Sequence, residues 1–141
     1  VLAAVAGAPP AGRCHVTVRL VGWREGRLLN ENFRGRKGAT NVLAFTAPAG
    51  RGQAGAEREL GDIAICLPLV HREAAEQGKR SLAHLAHLVV HGTLHLLGHE
   101  HDSGAAARRM EALEKKILRR LGFPDPYRAV TVARGGVHTE S

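Results

Sequence analysis

Strand-like stretches early in the chain and amphipathic helical stretches later predict an α+β (mixed α/β) domain. It is read as a small, mostly parallel sheet of about four strands with helices packed on it. Three observations carry this. Cys14–Val21 alternates apolar and polar residues with the period of a half-buried strand, whereas Leu82–Leu96 and Met110–Leu121 repeat with the 3.6-residue period of a helix. Turn-forming residues punctuate the intervals between such runs. The length, 141 residues with 44% hydrophobic content, supplies one core and not two. The expectation is a single domain over 1–141, with flexible termini at 1–13 and 125–141.

Taken in order, VLAAVAGAPPAG has the small, apolar residues of a signal-sequence end but no basic start, and reads as a trimmed or frayed terminus. CHVTVRLV (Cys14–Val21) is the first strand. From Trp23 to Arg34 the pattern turns helical, with Leu28, Leu29 and Phe33 on one face. Gly35–Gly38 is a basic turn, Asn41–Phe45 a second strand, and Pro48–Gly55 a flexible loop. Leu60–Leu67 is more continuously apolar, which marks a central strand. Pro68 suits the first position of a helix over Leu69–Gln77, Gly78 ends it, and Ser81 caps the next helix. Gly98 stands where a left-handed cap closes that helix. Ser103–Leu121 is strongly amphipathic, with Met110, Leu113, Ile117, Leu118 and Leu121 as its apolar stripe. Ser103 or Asp102 caps its start, and Gly122 with Pro124 ends it. The tail from Asp125 has no pattern.

The formal charge of +7 and a pI near 10.4 favour a polyanionic partner. Between Arg13 and Arg58 there are nine Arg or Lys against three Glu, so the excess sits in the first half. Aromatics are scarce, at 4%, which argues against a base-stacking platform and for contacts dominated by phosphate. Cys14 and Cys66 lie in separate strand-like runs and read as buried thiols in a reducing, cytoplasmic compartment. No apolar run reaches the roughly 18 residues that would span a bilayer, so no membrane partner is expected.

Six of the nine histidines fall in SLAHLAHLVVHGTLHLLGHEHD (Ser81–Asp102). His91 and His95 stand about one helical turn apart and project from one face. Beyond the Gly98 turn, His101 comes back toward them. HxxxHxxGxxH thus places three imidazoles around one ion at the end of a central helix, without an obvious fourth protein ligand, as in an open catalytic site. Zinc is the first choice, one ion per chain, with nickel or copper able to bind in vitro. The spacing matches that of the metzincin proteases, which carry a glutamate general base directly after the first histidine. Here that position is Gly92, which cannot accept a proton, and this counts against peptide hydrolysis by that route. A nucleobase deaminase would need a Cys-x-x-Cys ligand pair, and the chain has none. A metal held here would lower the pKa of a bound water and offer a Lewis acid to a phosphoryl oxygen.

HGTLHLLGHEH resembles the HGxLHLxGxDH signature of the YbeY family, bacterial metal-dependent endoribonucleases linked to ribosomal RNA maturation. LNENFRGRKGATNVLAF (Leu29–Phe45) is similar to that family's LNxxYRxKxxPTDVLSF segment, LGDIAI (Leu60–Ile65) to its LGDI strand, and the helix with Met110 and Glu114 to its last helix. Departures include Ala39 for Pro, Ala44 for Ser and Glu100 for Asp, the last keeping its carboxylate. The resemblance implies a zinc ion on His91, His95 and His101 and a functionally important arginine at Arg34. A planar guanidinium beside the metal would clamp a phosphate and stabilise charge built up in transfer. It also implies hydrolysis of single-stranded RNA by a metal-activated water, in rRNA maturation and ribosome quality control, with the ribosome or ribosome-associated proteins as partners.

Three further residues are candidates for supporting contacts behind the ligands: His87, Asp62 and Glu100. Each has a plainer reading, respectively packing against the sheet, a structural hydrogen bond, and a flanking carboxylate. Two other functions stay open, a zinc-stabilised RNA-binding or ribosome-associated factor without catalysis, and a metallohydrolase of another class.

Overall fold

The computed structural model describes residues 13–47, 57–99, 102–128, 130–131 and 138–139. Strand β1 (Arg13–Val21) pairs in parallel with β3 (Glu57–Cys66), and β2 (Val42–Thr46) pairs antiparallel on the other side of β3. The continuously apolar strand is therefore central, as its sequence predicts. The sheet is nevertheless three-stranded and mixed among the described residues, not four-stranded and mostly parallel. A short apolar run carries no information about direction, and β2 is followed directly in the sheet by β3, running back along it. Two two-residue strands, β4 (Val130–Thr131) and β5 (His138–Thr139), pair with each other in a separate sheet among the described residues.

Register on β3 is pinned at Gly61. Its φ of 143° lies outside what a side chain tolerates, and a Cβ there would stand 2.1 Å from the Phe45 carbonyl oxygen. The β1 register shifts at the same place, between His15 and Val16. Hydrogen bonds from the Ala47 amide to Leu60 O and from the Cys66 amide to Asn41 O, each 3.0 Å, extend the β2–β3 pairing at both ends.

The described residues form four helices. Helix α1 (Trp23–Arg34) has the predicted bounds and lies over β3 through Gly26, where a Cβ would come within 3.3 Å of Cys66. Its end is secured by Gly35 at φ 65° and by Asn30, buried, which donates from Nδ2 to the Gly38 carbonyl at 2.8 Å. Helix α2 (Leu67–Gln77) starts at a proline-containing first turn and ends at Gly78. Helix α3 (Ser81–Leu96) carries the histidines, and α4 (Gly104–Arg120) packs beside it. Ser103 caps α4, accepting from the Ala106 amide at 3.1 Å. Ser81 does not cap α3: Arg80 holds that position, and the Ser81 hydroxyl pairs with His71 Nδ1 at 2.8 Å instead. A neighbouring side chain has outcompeted the local backbone for that hydroxyl.

The core explains why α3 is apolar on more than one side. Toward the sheet it buries Leu88 and Leu96 against Leu60, Ile63, Ile65 and Val70. Toward α4 it buries Val90 and Leu94 against Met110, Ile117 and Leu118. Each such side chain contributes about 1.5–3 kcal/mol on leaving water. Gly92 lets α3 approach the sheet, since a Cβ there would be 3.1 Å from Ile63 Cδ1. The absent glutamate of a protease thus has a packing cause: position 92 is filled by the sheet. Cys14 and Cys66 are free thiols, half-buried and buried respectively. No described helix is long and apolar enough to cross a membrane.

Candidate metal centre

The pair His91 and His95 meets as the helical spacing requires. Their Nε2 atoms are 3.1 Å apart, with ring centroids at 4.7 Å. Tetrahedral zinc with Zn–N bonds of about 2.0–2.1 Å separates its ligand atoms by roughly 3.3 Å, so these two nitrogens stand at a ligand edge. The helix ends just beyond them in a Schellman turn. Gly98, at φ 98°, donates to His95 O and His99 donates to Leu94 O, each 3.0 Å. Glu100 and His101, which follow in the sequence, lie outside the described residues.

Behind His91 stands a buried carboxylate. Glu114 has no exposed side-chain surface and occupies a core position of α4, four residues after Met110 and three before Ile117. Its Oε2 accepts a short hydrogen bond from His91 Nδ1, and its Oε1 accepts from His87 Nε2 at 3.1 Å and from the Tyr127 hydroxyl in another short bond. Burial pushes this carboxyl up, but hydrogen bonds from His87, His91 and Tyr127 outweigh it and hold the group at about 2. Burial and the neighbouring Glu114 push the Tyr127 phenol well above its usual range, so it stays a donor. The consequence for His91 is a fixed tautomer. With its Nδ1 proton on Glu114, the Nε2 lone pair faces His95.

His87, His91 and Glu114 also place three potential ligand atoms within 4.8 Å of one another. Both oxygens of Glu114 are already engaged by hydrogen-bond donors, and His91 can present only one lone pair at a time. The donor set therefore fits an ion on the Nε2 side of His91 better than one on Glu114. His87, a candidate for a supporting contact whose plainer reading is packing against the sheet, faces Glu114 and Tyr127 on the α4 side.

Arg34 comes to the same place from the other end of the fold. Phe33 and Arg34 of α1, residues of β2, and His91 and His95 of α3 line one cleft of about 650 Å³. Asp62 does not join them. It is exposed, and alternation along β3 turns it to the face opposite Ile63, which packs under α3. Two residues of the site escape a reading of histidine spacing, Glu114 and Tyr127. The signal for Glu114 is a carboxylate inside an apolar stripe. Tyr127 lies in a tail with no pattern, yet its ring meets that of His87 edge-on at 5.2 Å.

A sequence model of the family described as Endoribonuclease YbeY matches residues 2–122. The chain belongs to the YbeY family. Its relatives include Endoribonuclease YbeY of Alkalilimnicola ehrlichii, 51% identical over 128 residues, covering 91% of this chain and 77% of that protein. Endoribonuclease YbeY of Bordetella pertussis is 53% identical over 130 residues, covering 91% and 80%. The solution structure of TM1509 from Thermotoga maritima shares the fold at a TM-score of 0.53 and 24% identity, over 90% of this chain and 84% of that one. Family membership agrees with the motifs on α1, β2 and α3 that meet around the cleft.

Proposed function

We propose that this YbeY-family chain is a zinc-dependent, single-strand-specific endoribonuclease of the cytoplasm, acting on ribosomal RNA in maturation and ribosome quality control. The observation that carries the reading is the cleft itself: convergent imidazole nitrogens and Arg34 line one open space. His91, His95 and His101 hold the ion, and Glu114 keeps His91 in the ligating tautomer. When bound, zinc supplies a Lewis acid and lowers the pKa of a water. Arg34 is exposed and gives a phosphate two parallel donors, which fixes the scissile group and offsets its developing charge. The surrounding basic residues, Arg36 and Lys37 among them, supply sequence-independent attraction for the strand.

One observation favours the second reading, a zinc-stabilised RNA-binding or ribosome-associated factor without chemistry. Among the described residues lining the cleft, none is a carboxylate able to take a proton from water. The two separate in one experiment. Single-stranded and duplex rRNA fragments are incubated with zinc-loaded protein, chelated protein, His95→Ala and Arg34→Ala. Catalysis predicts cleavage of the single strand that follows zinc occupancy and is lost in both variants. Intact RNA under all conditions, with binding that still depends on Arg34, selects the non-catalytic factor.

A further inference from the structure

We propose that Phe33 is the platform on which one unpaired base of the RNA strand stacks, and that this contact makes the cleft selective for single strands. The inference rests on the proposed function, since it takes RNA to be the occupant of the cleft. Composition argues against such a platform, because aromatics are only 4% of the chain. The fold overrides that argument by concentrating them: two of the three phenylalanines, Phe33 and Phe45, line the same cleft as Arg34 and the histidine pair.

Their geometry leaves a ring face open. The rings stand edge to face, with centroids 5.3 Å apart and planes at 75°. Whichever ring offers its edge, Phe45 covers at most one face of Phe33. Phe33 remains 66% exposed, the highest value, equal with Leu82, among the exposed large apolar residues. A lone exposed phenylalanine needs no explanation. This one is braced by a second ring, sits in a cleft, and precedes the phosphate-binding arginine. It is also held in place, because Gly35 and the Asn30 bond to Gly38 O secure the end of α1.

Adjacent residues have Cα atoms about 3.8 Å apart, so a base on Phe33 and a phosphate on Arg34 belong to the same or neighbouring nucleotides. A base within a duplex is covered on both faces by its own neighbours and cannot use the platform. An unpaired base can, whatever its identity, because every base has a π-face. Phe33 is thus a positioning and specificity residue, acting on strand form and not on sequence.

The test measures binding of labelled single-stranded oligoribonucleotides to the full chain by fluorescence anisotropy, with chelator present to prevent cleavage. Phe33→Ala is expected to weaken binding about 5- to 150-fold. Phe33→Tyr should restore it, and Phe33→Leu, equally apolar but without a ring, should not. In a set of strands each carrying one abasic nucleotide, one position should abolish the difference between wild type and Phe33→Ala. Duplex RNA should show no dependence on Phe33. The proposal is overturned if Phe33→Ala binds the intact strand within twofold of wild type while Arg34→Ala weakens it, or if Phe33→Leu binds as well as wild type. If neither Phe33→Ala nor Arg34→Ala changes binding, RNA does not occupy the cleft and the proposed function falls as well.

Discussion

Replacing Glu114 with Gln isolates the element that ties the fold to the candidate metal centre. The side chain keeps its volume, so no cavity is created in a position with no exposed surface. One oxygen still accepts from two donors, as Oε1 now does from His87 and Tyr127. The other becomes an NH₂ facing the His91 Nδ1 proton, two donors in contact. His91 escapes by taking its proton on Nε2, which removes the lone pair now aimed toward His95. Hydrogen bonds to a charged group contribute about 1.5–3 kcal/mol and neutral ones about 0.5–1.5. Weakening three of them costs roughly 3 kcal/mol, partly offset because a buried amide needs less desolvation than a carboxylate. The expected net loss of stability is about 1–3 kcal/mol by urea denaturation of metal-free protein. The tautomer change should weaken zinc binding about 10- to 100-fold, measured by chelator competition. An unchanged zinc affinity refutes the orienting role. Complete loss of zinc, accompanied by the same loss in His87→Ala, would instead place the ion on the cluster of His87, His91 and Glu114.

Tyr127→Phe removes one donor to Glu114 and should lower stability by about 1–2 kcal/mol while leaving zinc affinity nearer wild type than Glu114→Gln does; an effect on zinc equal to that of Glu114→Gln contradicts this ranking. Gly61→Ala should cost about 2–4 kcal/mol in urea denaturation, because the new Cβ would meet the Phe45 carbonyl and φ is unsuited to it. A midpoint at the wild-type value would show that β2 and β3 are less closely apposed. Ser103→Ala should lower thermal stability through loss of a cap of about 1 kcal/mol, whereas Ser81→Ala should have the smaller effect, since its hydroxyl caps nothing. Equal losses would mean that Ser81 caps α3 in solution.

Much of this was readable along the chain. The bounds of α1 followed from its pattern, the central place of β3 from its continuous apolar run, and both closing turns of α3 and α4 from Gly98 and Gly122. These are local properties, set by propensity and periodicity. The supporting contacts were less readable. Asp62, a candidate where a strand-like run opens, faces away from α3, because strand alternation sends neighbours to opposite faces. His87 shares the helical spacing of His91 and His95, but spacing does not say whether a face meets the sheet or α4. The residues 100 and 101 lie outside the described structure, so the third histidine still rests on its spacing and on the family's motif.

What the sequence determined by itself is the set of groups and their order: a histidine pair one turn apart, a glycine turn, an arginine after a phenylalanine, and a glycine where a protease needs its base. These depend on neighbours within a turn or two. What only the tertiary structure decided is which distant groups share a space. It set Glu114, from a helix beginning after the histidines, against the back of His91, and closed Tyr127 over it. It gathered two of a few aromatics beside Arg34, and filled the space above Gly92 with Ile63. Such meetings depend on how helices seat on a sheet, and packing of that kind has no signature in local periodicity.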